Sequence, residues 1–228
     1  MNNDVRGLLI QADQARERGD FKESLELLGD AIVASQVERK DEKLVDALAS
    51  QALAYRHLFD KTNSKNYLIL AKHSCMAAVE LARQIEEPSD IAIALYNLGK
   101  VQESSGELEE ALKNYTEAVA QNVNRPAMIS EMKTRLSVLE FRKGDKEAMG
   151  RFDVALSELK ASEDKDHYAK AVWESGAYMH MAEALLPTDK SKAKQLLDEA
   201  GKVIASDMRL KLRKGQLEKL RSKLDAVS

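Results

Sequence analysis

Ala94-Leu95-Tyr96-Asn97-Leu98-Gly99-Lys100, then Gly106-Glu107-Leu108-Glu109-Glu110-Ala111-Leu112-Lys113-Asn114-Tyr115-Thr116-Glu117-Ala118, is the stretch on which the fold turns. Large and small apolar residues recur every three or four positions on either side of one glycine. That is the spacing of two helices, each with one apolar stripe, joined by a tight turn. Gly106 supplies the left-handed stop, and the acid after it suits the start of the next helix. Gly99, Ala111 and Ala118 let the two helices touch, while Leu95, Leu98 and Tyr115 fill the space beside them.

Outward from this hairpin the same punctuation returns. Gly19-Asp20 and Gly144-Asp145 each close one periodic segment and open another. The longer breaks Asp60-Lys61-Thr62-Asn63-Ser64 and Leu186-Pro187-Thr188-Asp189 occupy the corresponding place in their own segments, with Ser64 and Asp189 as N-caps. The spacing predicts helices at about 4–17, 21–38, 41–59, 64–86, 89–105, 108–122, 126–142, 145–161, 165–185 and 189–205, with a last one at 207–226. Pro88 and Pro126 fall at joints between hairpins, where a first helical turn tolerates a missing N–H. No run of strand-like alternation and no linker interrupts the series, so the expectation is one all-α domain.

Aligned on one another, the hairpins form a repeat, and the chain resembles the tetratricopeptide repeat (TPR) superfamily. Leu95, Leu98 with Gly99, Gly106, Ala111, Tyr115 and Ala118 fill that family's motif positions. Leu8, Ala12, Gly19, Ser24, Leu28 and Ala31 do so in the first copy, and Gly144, Ala148, Phe152 and Ala155 in the fourth. The second copy carries Leu48, Ala52, Tyr55, Ala71, Cys75 and Ala78, and the fifth Trp173, Ala177, His180, Ala193, Leu197 and Ala200. Copies recur about every 40 residues, against roughly 34 in the standard repeat, so the resemblance is to the longer TPR-like proteins. It implies an α-α superhelix of about five hairpins over residues 1–206.

Residues 207–228 are not a repeat. Leu210, Leu217, Leu220, Leu224 and Val227 stand at helical spacing on a strongly basic segment, which reads as a capping helix over the last hairpin's apolar face. A short dimerising coiled coil is the alternative.

Composition narrows the function. With 228 residues, 44% hydrophobic and 32% charged, the chain can bury its own core without disulfide or metal. A net charge of −3 gives no long-range field for a polyanion, so nucleic acid is not the expected partner. No apolar stretch approaches a membrane span and no export signal opens the chain, which points to the cytoplasm. The single Cys75 lies among alanines and reads as packing, in keeping with a reducing compartment. His57, His73, His167 and His180 are scattered over separate helices, so neither a metal site nor a cofactor is expected. No phosphate-binding glycine loop, nucleophile elbow or zinc-protease helix is present, and an enzyme is not expected. The sequon Asn114-Tyr115-Thr116 falls inside a predicted helix. Trp173 reads as core, and Met181 as core or as a groove contact.

The resemblance implies that the first helix of each hairpin lines a concave groove for a protein or peptide partner. Projecting the register collects Arg56 from the second copy, Tyr96, Asn97 and Lys100 from the third, Arg135, Val138, Phe141 and Arg142 from the fourth, and Tyr178 from the fifth. Arg56, Lys100, Arg135 and Arg142 favour an acidic partner, unless Asp13, Glu103 and Glu131 neutralise them. Some relatives grip a C-terminal carboxylate with Lys and Asn residues. Asn97 and Arg135 match that pattern, but Ala49, Leu53 and Glu131 stand where it needs other residues, so such a clamp is not expected. The sequence-level reading is a monomeric or weakly dimeric interaction scaffold; a small-peptide sensor or an assembly module are its rivals.

Overall fold

The computed structural model describes residues 4–121, 123–163 and 166–226. Among them are eleven α-helices and no strand: α1 (Val5–Glu17), α2 (Phe21–Glu38), α3 (Asp41–Thr62), α4 (Lys65–Ile85), α5 (Pro88–Ser105), α6 (Leu108–Ala120), α7 (Pro126–Arg142), α8 (Ala148–Ala161), α9 (His167–Leu185), α10 (Lys190–Ala205) and α11 (Lys211–Ala226). The expected ends at 122 and 165, and Val227, lie outside the described residues.

Two starts differ from the sequence reading, for the same reason. Helix α8 begins at Ala148 and not at 145, because the Asp145 carboxylate accepts from the backbone N–H of Glu147 at 2.9 Å and holds a turn there. Helix α11 begins at Lys211 and not at 207, because Asp207 accepts from the backbone N–H of Arg209 at 2.9 Å. Aspartate competes for nearby amides in non-helical backbone, and in both places it delays the helix.

Turn chemistry follows the hairpins. Gly19, Gly106 and Gly144 take φ of 80°, 82° and 94°, and Asn63, at φ 57°, serves the second hairpin in place of glycine. Pro88 and Pro126 are the first residues of α5 and α7. Asp189 caps α10 by accepting from the Lys192 N–H at 2.9 Å. Ser64 occupies the cap position of α4 but makes no side-chain cap bond; its own N–H donates to Thr62 Oγ1 at 3.3 Å.

The chain divides into two compact units, Met1–Asn124 and Arg125–Ser228. In the first, the hairpins are α1/α2, α3/α4 and α5/α6, and α3 packs against both α1 and α5. Its core is built largely from alanine: Ala12, Ala31, Ala47 and Ala54 are fully buried beside Val5, Leu8 and Leu28. Cys75 is fully buried too, and burial pushes its thiol up to about 12 against the pull of Lys100 and Arg56, which fits packing and not a reactive thiolate. Ion pairs tie the second hairpin to the third, Lys72 to Glu107 at 2.6 Å and Arg83 to Glu117 at 2.8 Å.

The tightest joint is inside α5/α6. Tyr115 is fully buried with its ring against the backbone of Gly99, and a Cβ placed on Gly99 would meet Tyr115 Cε1 at 2.5 Å and Cδ1 at 2.6 Å. No side chain fits between those helices. The Tyr115 hydroxyl donates to Glu103 Oε2 at 3.0 Å, which satisfies the one polar atom the packing encloses.

The second unit holds α7/α8, α9/α10 and α11 around a cluster that includes Val138, Phe152, Met179, Met181, Leu197 and Leu210. Met181 is fully buried and belongs to the core, whereas Trp173, expected there, is only half-buried. Helix α11 packs on α10 and α9 with Leu217 and Leu220 inward. Arg221 donates to Asp198 at 3.1 Å and Lys223 to Glu183 at 2.6 Å, fastening the helix at its edges.

Two stability outcomes follow from these contacts. Gly99→Ala overpacks the α5/α6 joint and should lose about 1–3 kcal/mol in urea unfolding, while Gly150→Ala, where a Cβ meets nothing within 4 Å, should not destabilise. Truncation before Asp207 removes Leu210, Leu217 and Leu220 from the core at about 1.5–3 kcal/mol each, comparable with a domain's whole margin. The shortened protein should melt much earlier or aggregate in light scattering; an unchanged melting curve would refute the capping role.

Candidate interaction face

In the first unit the candidate surface is the face made by α1, α3 and α5, the first helices of three successive hairpins. The Lys100 ammonium sits 4.4 Å above the centre of the Tyr96 ring, and that ring is tilted against Tyr115 with centres 5.4 Å apart. The chain of contacts fixes where the Lys100 charge stands: Gly99 seats Tyr115, Tyr115 seats Tyr96, and the π-face of Tyr96 holds the ammonium. From α3, an Arg56 Nη donates to His57 Nε2 at 3.2 Å, so that nitrogen acts as an acceptor. His57 is buried with its ring 6.0 Å from that of Phe21. Lys100 and Arg56 come from neighbouring hairpins, and the charges of both are felt at Cys75.

A second set of charges lies toward the other end of the same helices. Asp46 of α3 stands close enough to Asp13 of α1 and to Asp90 of α5 for its charge to be felt at both. Asp90 is held up at about 6, first by burial and then by Asp46, Glu42 and Glu87, with Lys43 pulling the other way. Its Oδ2 is buried and accepts no hydrogen bond from any described residue. Sequence reasoning noticed Asp13 but missed Asp46 and Asp90. Each is an ordinary acid near the start of a helix, and only the side-by-side packing of α1, α3 and α5 brings them into one row.

The nine residues projected onto the groove separate by depth. Tyr96 and Asn97 in the first unit, and Arg135, Val138 and Tyr178 in the second, are buried. Val138 belongs to the apolar cluster with Phe152 and Leu156. The Tyr178 hydroxyl accepts from Lys160 Nζ at 3.3 Å. Phe141 is partly buried against that cluster, Arg56 and Lys100 are partly exposed, and Arg142 is exposed. A partner touching these units from solvent thus meets Arg56, Lys100, Phe141 and Arg142 before any of the other five. Asn97 and Ala49, two of the clamp positions, are both inside the packing.

Elsewhere, a surface cleft of about 710 Å³ lies between the ends of α1, α2, α3 and α4, lined by Arg6, Arg39, Lys40 and Lys43 interleaved with Asp4, Asp41 and Glu42. Among the described residues no group of three or more His, Cys, Asp or Glu side chains is arranged to hold a metal ion, and no helix is long and apolar enough to cross a membrane.

The raised Asp90 carboxyl gives the first unit a pH dependence of definite sign. The unfolded chain titrates near the ordinary 3.8 and the folded chain near 6, so between these values the folded state holds a proton that the unfolded state lacks. Stability should therefore rise as pH falls from about 7 toward 4, and Asp90→Asn should flatten that part of the curve while raising the melting temperature at pH 7. A melting temperature that tracks pH identically in both proteins would contradict this assignment.

No protein-family model matches the sequence, and no curated protein does either. Solved structures do. BtubC (BKLC) from P. vanneervenii superposes with a TM-score of 0.61 at 20% identity, over 89% of this chain and 80% of that one. TPR-like repeats of a Podosopora anserina protein described as a kinesin light chain superpose with a TM-score of 0.54 at 13% identity, over 89% of this chain and 95% of that one. A point-substituted form of those repeats gives 0.55 at 14% identity, over 92% and 99%. Helices paired in sequence order, the Gly99–Tyr115 joint and these superpositions agree: the chain has the fold of the TPR-like helical-repeat proteins.

Proposed function

We propose that this chain is a protein-interaction scaffold that holds a segment of a partner protein against the inner helices of its hairpins, with acidic segments preferred. The observation that carries the reading is that Arg56 and Lys100, both partly exposed, stand in the later halves of α3 and α5, two first helices that pack on one another. Helix α3 lies between α1 and α5, so an extended segment crossing these helices would pass neighbours spaced about 8–10 Å apart. Taken by itself, the second unit presents Phe141 and Arg142 on its first helix, one apolar and one cationic. The buried single cysteine suits a reducing compartment such as the cytoplasm. The scaffold works as a monomer or a weak homodimer.

Lys100→Glu reverses one charge on this face and leaves in place the Tyr96 ring on which the ammonium rests. Binding of an acidic partner peptide, followed by fluorescence anisotropy, should weaken at least several-fold, and the salt dependence of what remains should shrink. Helical content and melting temperature should stay close to those of the parent protein. Unchanged affinity, together with cross-links from the partner that map to α2 and α4 and not to α1, α3 and α5, would defeat this reading.

A further inference from the structure

Arg56 is packed into the first unit as a cation with most of its donors bonded to no described residue. Only 13% of its side chain is exposed. A guanidinium carries five N–H donors, and the hydrogen bond that Arg56 makes among the described residues goes to a neutral acceptor, His57 Nε2. Its Nε is buried and donates to no described residue. The nearest carboxylate oxygen, Asp60 Oδ2, is 3.9 Å from Nη1, beyond hydrogen-bond length. Arg16 on α1 shares the buried Nε and is equally shielded at 14%, but differs in its counter-charges, with Asp13 at 3.2 Å and Glu17 at 3.4 Å. Placing a charge this deep without a bonded counter-charge is unfavourable for folding. A planar carboxylate arriving at the Nη edge would supply two parallel charge-assisted hydrogen bonds in a partly desolvated place, where they are strongest.

We infer that Arg56 is the anchor for an aspartate or glutamate side chain within the bound segment, and the residue that sets the preference for acidic sequences; this rests on the scaffold reading above. Lys100 adds attraction without the fork geometry. Asp60, itself 41% exposed, is the internal competitor, and it gives up only a loose contact when a ligand carboxylate takes the Nη edge.

The test uses the full chain and three capped or uncapped probe peptides: acetyl-hexaglutamate amide, acetyl-hexaglutamine amide, and acetyl-hexaglutamine with a free C-terminal carboxylate. Hexaglutamate should bind and raise the melting temperature, and the two glutamine peptides should not. Arg56→Met should weaken hexaglutamate binding about tenfold or more, the size of a lost charge-assisted pair, while melting no lower than the parent protein, because it relieves a buried charge. Arg56→Lys, which keeps the charge and loses the fork, should fall between them and serves if the methionine variant does not fold. A lower melting temperature with unaltered affinity would make Arg56 a structural residue and overturn the proposal. So would binding of the free-carboxylate peptide alone, or no binding of hexaglutamate by the parent chain. If Lys100→Glu weakens binding and the Arg56 variants do not, the scaffold reading stands and the anchor role falls.

Discussion

Gly99 lacks the one atom that would collide with Tyr115, and the third hairpin is built on that absence. With the ring lying on bare backbone, α5 and α6 approach closely, and the Tyr115 hydroxyl reaches Glu103 at 3.0 Å. The same ring then braces Tyr96, whose face carries the Lys100 ammonium. A packing constraint thereby sets the position of the Lys100 charge. In the first hairpin the corresponding place is alanine, fully buried Ala12, clustered with Leu28 of the facing helix. Contacts of this kind bind each hairpin to itself and, within each unit, to its neighbour, so stability accumulates locally along the repeats.

Periodicity made the helices legible because each one buries a single stripe, and glycine or asparagine in left-handed backbone marked the turns between them. The starts of α8 and α11 were misread because Asp145 and Asp207 look like helix-opening acids in sequence, yet each bonds an amide two residues on and holds a turn. Depth was the harder quantity. A helical wheel places Tyr96, Asn97, Arg135, Val138 and Tyr178 on a face different from the motif residues, and this looks like solvent. In α5, however, Ala94, Leu95, Tyr96, Asn97, Leu98 and Gly99 are all buried, so the helix is covered nearly all round. Sequence periodicity reports which way a side chain points, and burial depends as well on how many other helices surround it. The charged row of Asp13, Asp46 and Asp90 escaped notice for the related reason that it exists only between helices.

Several of the charges on α3 and α5 are sorted by end. Glu42 and Asp46 lie in the first half of α3 and Asp90 in the first turn of α5, while Arg56 and Lys100 lie in the later halves of the same helices. This order suits the helix dipole, which favours acids near an N-terminus and bases near a C-terminus. It also gives one face two electrostatic characters without a large net charge. The chain as a whole is at −3, yet an acidic segment can prefer it, because beyond roughly 8–10 Å exposed charges are screened at physiological salt. Net charge governs approach from a distance, whereas local charge and its burial govern what a group at the surface feels. On the proposed reading, a carboxylate would be drawn to the Arg56 and Lys100 end of α3 and α5, and the Asp46 and Asp90 end would repel it.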